Sequence, residues 1–271
     1  MNFRLPTWNP KGIVLVAAFV LGALASGCSL LPEQKDETGN WSVERIYQTG
    51  RESMQEGNYL RAIKMFESLE SRFPYGPYAQ QSLLQLAYSN YKLGEMAAAV
   101  SAADRFIKQY PNHQNVDYAY YLKGLANFNE DFGFLTWLAA QDLSERDPKT
   151  LRESYNAFRD LAAKFPESRY AGDSRARMNF LVNALATGDV HVARYYYNRG
   201  AYIAAANRAQ QAVLTYPTAP ATEDALWIMV SAYDKLQLKE LRDDAKRILE
   251  KNFPKSAYLS GAQGSSWWKF W

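Results

Sequence analysis

The sequence predicts an all-α fold, a right-handed α-solenoid of about five helix pairs. Three observations predict it. Five aromatic–proline dipeptides recur: Phe73-Pro74, Tyr110-Pro111, Phe165-Pro166, Tyr216-Pro217 and Phe253-Pro254. Seventeen residues before the first, second and fourth prolines stands a glycine (Gly57, Gly94 and Gly200), with Lys149 at the third. Between glycine and proline, apolar or small residues recur at steps of three and four, which puts them on one helix face.

Each position has a chemical reason. The glycine sits where one helix ends and the next begins, and it adopts a left-handed backbone with little strain. Twelve residues before the prolines lie Ala62, Ala99, Ser154 and Ala205, small enough for a neighbouring helix to approach. Eight before lie Phe66, Ala103, Phe158 and Ala209, and five before lie Leu69, Phe106, Leu161 and Ala212. The proline lacks an N–H and ends the second helix of each pair. Ahead of the glycines run further amphipathic stretches, such as Tyr78–Leu93 and Asp117–Asn127. Successive prolines are 37, 55, 51 and 37 residues apart, and the shorter spacing is close to the tetratricopeptide unit of about 34 residues. The longer gaps require an insertion over Glu130–Pro148 and a long helical region between Arg169 and Asn198. The fifth unit fits least well: Gln237 replaces glycine, and Leu241 and Ala245 fit only with a one-residue slip. Terminal repeats are atypical because they cap the stack.

The chain begins differently. Arg4 and Lys11 precede an uncharged apolar run of 13 residues, Ile13–Ala25. Spanning a bilayer takes about 20 apolar residues, so the run is short for a permanent anchor and reads as a secretory signal. It ends in Ala25-Ser26-Gly27-Cys28, which contains the only cysteine of the chain. One cysteine makes no internal disulfide, and zinc needs several ligands. The stretch resembles a bacterial lipobox, although Ala25 stands where leucine is more usual. That resemblance implies cleavage after residue 27 and a diacylglycerol and an acyl chain on Cys28. Each buried methylene contributes about 0.8 kcal/mol, so several chains hold a domain firmly on a membrane. Ser29, rather than Asp, follows the cysteine; by the lipoprotein sorting rule this implies the outer membrane, on its periplasmic face. Residues 28–40 are the expected tether.

Without residues 1–27 the formal charge falls from +3 to +1, which gives no argument for a nucleic-acid partner. No catalytic constellation stands out. The two histidines, His113 and His191, are 78 positions apart, and there is no paired-His motif, Cys pair or phosphate loop. Glu67, Glu70, Asp243, Asp244 and Glu250, like Arg175 and Arg177, read as solvated helix faces. The expectation is therefore no enzyme, no metal and no cofactor beyond the lipid on Cys28. Stacked helix pairs instead offer extended surfaces for proteins.

The junctions between units are more specific than the repeats. Phe73-Pro74-Tyr75-Gly76-Pro77-Tyr78-Ala79 joins the first two, and Pro111-Asn112-His113-Gln114-Asn115-Val116-Asp117-Tyr118-Ala119-Tyr120-Tyr121 the next two. Arg146-Asp147-Pro148 and Val192-Ala193-Arg194-Tyr195-Tyr196, leading to Arg199-Gly200-Ala201-Tyr202, follow. With the lipobox, these resemble the BamD family of outer-membrane protein assembly lipoproteins over about residues 12–254. Gln114 departs from the family's usual proline there. The resemblance implies a non-enzymatic scaffold of the β-barrel assembly machinery, with unfolded outer-membrane β-barrel proteins, the POTRA domain of BamA and other Bam lipoproteins as partners. Carried onto this chain, it implies repeats one to three over 41–168 as the substrate-receiving part, with Tyr75, Tyr78, Tyr118, Tyr120 and Tyr121 at its joins, where at least half of these tyrosines read as core and the spacing does not tell which. Repeats four and five, over 169–254, would hold BamA, with Arg199, Tyr195 and Tyr196 on the BamA side. Arg199 reads equally as a helix-end arginine satisfying carbonyls near Gly200.

Residues 255–271 form an aromatic tail, with Trp267, Trp268, Phe270 and Trp271 around Lys269. Such rings suit a membrane headgroup layer, a partner lipoprotein, or the chain's own groove in imitation of a substrate end. Two other functions share the anchor: a pilotin carrying a secretin ring to the outer membrane, and a helical cell-wall enzyme needing an indispensable carboxylate.

Overall fold

The computed structural model describes residues 37–128 and 147–260. The signal segment, Cys28, nearly all of the expected insertion and the four tail aromatics lie outside the described residues. The chain divides after Trp41, and every described helix belongs to the second unit, from Ser42 onward.

Ten helices are described, with no strand among the described residues. They are α1 (Val43–Gln55), α2 (Tyr59–Arg72), α3 (Pro77–Leu93), α4 (Met96–Gln109), α5 (Val116–Phe128), α6 (Pro148–Lys164), α7 (Ala171–Asn198), α8 (Tyr202–Thr215), α9 (Thr222–Lys235) and α10 (Lys239–Asn252). Each packs on its chain neighbours, and the first helices of pairs also meet, α1 with α3, α3 with α5 and α7 with α9. The result is an all-α solenoid of helix pairs.

Local chemistry sets the ends. Ser42 Oγ, Asn58 Oδ1 and Asp147 Oδ1 accept backbone N–H bonds at the starts of α1, α2 and α6. Pro77 and Pro148 stand in the first turns of α3 and α6. The five aromatic residues before the prolines share one conformation, φ between −132° and −129° and ψ between 55° and 66°. In all five the N–H still donates to the carbonyl four residues back, while the following proline forces the backbone out of the helical region. The repeat read from the prolines is thus a repeat of backbone geometry.

The turn position divides by residue type. Gly57, Gly94 and Gly200 have φ of 76°, 86° and 76°. Gln237 takes the same turn at φ 61°, the one non-glycine with positive φ among the described residues. Lys149 differs: it lies inside the first turn of α6 and needs no left-handed backbone.

Inside the pairs, the residue eight before the proline meets the first helix of the same pair. A Cβ on Gly50 would come within 2.6 Å of the Phe66 ring, and one on Gly124 within 2.5 Å of the Phe158 ring. In pairs two and four the same registers hold Ala87 with Ala103 and Ala193 with Ala209, all fully buried. At the Phe registers a glycine makes room for the ring, whereas the alanine pairs carry much less side-chain volume at the same register. Ser154, the small residue of pair three, donates its hydroxyl to the Gly124 carbonyl at 2.9 Å.

Candidate interaction surfaces

The tyrosines expected in one groove separate into distinct places. Tyr75 stands between Pro74 and Pro77 and is 90% exposed. Tyr78, three residues on, turns inward and packs on Tyr47 of α1, with centroids 5.2 Å apart.

Tyr118, Tyr120 and Tyr121 share α5 but not a face, since residues three apart lie together and the one between does not. Tyr118 and Tyr121 meet Tyr170, which lies just ahead of α7. Tyr170 stacks on Tyr121 at 4.6 Å and 19° and leans on Tyr118 at 5.4 Å. Arg169 lies over the Tyr170 ring at 4.7 Å. Tyr121 OH donates to Asp173 Oδ2 at 2.8 Å, and Arg177 Nε donates to the same oxygen at 2.6 Å. Ser168 Oγ donates to Asp117 Oδ2 at 2.6 Å.

Electrostatics follow from this packing. Burial, then the bond to the Asp173 carboxylate, pushes Tyr121 up to about 12. Burial raises Tyr118 above the ordinary tyrosine value, helped by Tyr170. For Asp173 burial works upward, but the bonds from Arg177 and Tyr121 outweigh it and hold the carboxyl below its usual value. Arg177 is no solvated face: its guanidinium lies over the rings of Phe128 and Phe158, at 5.3 Å and 5.9 Å.

Tyr120 lines a different place, a cleft of about 290 Å³ with Asp104, Lys123, Glu153 and Asp160. Lys123 Nζ bonds Asp104 there at 2.6 Å, and Lys164 Nζ donates to Tyr120 OH at 2.7 Å. Glu153 and Asp160 pair instead with Lys149 and Arg159, outside the lining.

At the end of α7, Tyr195, Tyr196 and Arg199 do come together. Tyr195 is 55% exposed and Tyr196 38%. Their rings meet edge to face at 5.8 Å, and the Arg199 guanidinium lies over Tyr195 at 5.3 Å. Among the described residues Arg199 makes no ion pair, and its side chain rests on a ring rather than on the helix-end carbonyls. An exposed arginine over one of two touching, exposed tyrosines is the composition of protein-binding anchors.

Several residues of these surfaces went unread in the sequence. Tyr170 is one, and Asp224 with Tyr258 and Trp227 is another set. The signal was present as Phe165-Pro166-Glu167-Ser168-Arg169-Tyr170 and Phe253-Pro254-Lys255-Ser256-Ala257-Tyr258, a shared Phe-Pro-x-Ser-x-Tyr. Among the described residues no group of His, Cys, Asp and Glu is placed to hold a metal, and no helix is long and apolar enough to cross a membrane.

Relatives match along nearly the whole chain. A family described as "Outer membrane lipoprotein" matches residues 40–249. The outer membrane protein assembly factor BamD of Neisseria meningitidis serogroup B is 47% identical over 267 residues, 96% of this chain and 99% of that protein. The protein of the same name from Xylella fastidiosa is 39% identical over 92% of this chain and 83% of its own length. That from Vibrio cholerae is 34% identical over 85% and 94%. With its helix-pair solenoid and its proline-anchored junctions, the chain belongs to the outer membrane lipoprotein family that includes BamD.

Proposed function

We propose that this chain is an outer membrane protein assembly factor, a non-enzymatic lipoprotein scaffold that helps β-barrel proteins into the outer membrane. The observation that carries this reading is the 47% identity, over 96% of the chain, to a protein named for that role. A lipid on Cys28 would hold the solenoid at the membrane, facing the periplasm. The pairs over 169–254 would hold a POTRA domain of the BamA-type barrel subunit, with Tyr195, Tyr196 and Arg199 as the contact. The exposed guanidinium over Tyr195 supports this part, since it offers a fork of donors to a partner carboxylate. The pairs over 41–168 would receive unfolded barrel chains. Tyr75, with its free ring, and the edge formed by Tyr118, Tyr121 and Tyr170 suit aromatic strand ends. A secretin pilotin is not favoured, because the relatives that match along the chain carry the assembly-factor name.

In-cell crosslinking of the untagged protein tests this. Links from residues around Arg199 to a POTRA domain are expected. Links to a secretin, with none to a POTRA protein, would overturn the reading.

A further inference from the structure

The chain does not stop where its last helix pair is complete. After Pro254 it repeats the junction that elsewhere leads into α7. Ser168 and Ser256 N–H donate to the Phe165 and Phe253 carbonyls at 3.0 Å and 2.9 Å. Ala171 and Leu259 N–H return to the two serine carbonyls at 2.9 Å and 3.1 Å. Tyr170 and Tyr258 N–H donate to the serine hydroxyls at 3.2 Å and 3.3 Å. The second copy thus delivers a tyrosine onto α9 as the first delivers one onto α5.

There Tyr258 stacks on Trp227 at 5.2 Å and 9°. Its hydroxyl donates to Asp224 Oδ1. The other oxygen, Asp224 Oδ2, accepts from Arg194 Nη2 at 3.0 Å. One carboxylate therefore ties three segments together: α7, α9 and the residues after the last helix. The Arg194 side chain is 17% exposed and that of Asp224 37%, so the pairing is partly shielded and directional. At about 100° per residue, Tyr195, Tyr196 and Arg199 lie about 100–200° around α7 from Arg194. The anchored arginine is at the back of the turn whose front carries the exposed trio. Val190, Ala193 and Tyr197 pack this stretch of α7 into the core, and Arg194 adds a polar tie to α9.

We propose that residues 254–260 are a clasp, and that Tyr258, acting through Asp224 and Arg194, is a positioning residue for the partner surface of Tyr195, Tyr196 and Arg199. Without the Tyr258 hydroxyl, Asp224 loses the donor that fixes one of its oxygens, and Arg194 loses a fixed acceptor. The last turn of α7 then samples more orientations, and a partner must order it on binding. The inference rests on the reading of this surface as the partner site.

The test uses the full mature chain and a purified POTRA segment of the assembly machine's barrel subunit. Tyr258→Phe removes the hydroxyl and keeps the ring on Trp227. Affinity is expected to fall about fivefold. Amide exchange at residues 194–200 should quicken while the urea midpoint stays put. Arg199→Ala should weaken binding by itself, and adding Tyr258→Phe to it should weaken it little further. If Arg199→Ala weakens binding and Tyr258→Phe does not, the clasp is wrong and the surface stands. If Arg199→Ala has no effect, the surface reading falls, and the clasp's role with it. A loss of binding that only follows a lower urea midpoint, with exchange at 194–200 unchanged, would also overturn the proposal.

Discussion

The third helix pair and the fifth are followed by the same Phe-Pro-x-Ser-x-Tyr junction, yet one continues into a 28-residue helix and the other is followed by no further helix among the described residues. The junction itself is equally well formed in both, down to the serine hydroxyl under the tyrosine N–H. What differs is the surface each pair offers. Eight residues before the proline, pair three carries Phe158, fully buried against Gly124; pair five carries Lys246, which is exposed. Eleven before, the first four pairs carry Ile63, Val100, Tyr155 and Ala206, and pair five carries exposed Asp243. Among the described residues no helix covers this face of α10, and its charged side chains suit the outer face of a capping repeat. The turn motif directs the chain, and the chemistry of the next face decides whether a helix packs there.

That contrast can be broken most strongly at the paired register. Phe158→Ala should destabilise the protein by about 3–5 kcal/mol, because it leaves a cavity among Gly124, Tyr121 and Arg177. Lys246→Ala, at the same register of pair five, should change stability by less than about 0.5 kcal/mol. Urea unfolding of both variants checks this, and equal losses would mean that pair five is packed like pair three. Gly124→Ala comes next, at about 1–3 kcal/mol, since the added methyl meets the Phe158 ring at 2.5 Å. Combining it with Phe158→Leu should recover part of the loss, and thermal melting would show it. The smallest effect belongs to the turn of pair five. Gln237→Gly should stabilise by about 0.5–1 kcal/mol, because the residue holds φ 61° where three other pairs have glycine. A melting temperature that falls instead would show that the Gln237 side chain, whose Nε2 bonds the Asp234 carbonyl, outweighs the strain.

How far the sequence reached differs from element to element. The prolines, the aromatics before them and the glycines were legible because their constraints are covalent and local: a ring without an N–H, a residue without a Cβ. They placed the helix ends, the long α7 and the register of Ala62, Phe66 and Leu69. Gln237 was legible only as a misfit, since its positive φ is imposed by the repeat around it. The trio Tyr195, Tyr196 and Arg199 was legible as neighbours on one helix. The five groove tyrosines were not legible as a set. Tyr78 and Tyr75 stand three apart in a junction and go opposite ways, inward to Tyr47 and outward to solvent. Tyr120 and Tyr121 are adjacent in sequence and face an acidic cleft and an aromatic stack.

By itself the sequence determined the repeating helix pair, its boundaries and the identity of its buried stripe, because period and backbone constraint act within a few residues. Only the tertiary structure decided which tyrosines are partners, that glycine answers phenylalanine in pairs one and three, and that Asp224 joins α7 to the end of the chain. Those outcomes depend on which side chain stands opposite across a helix interface, and spacing along one chain does not encode that distance.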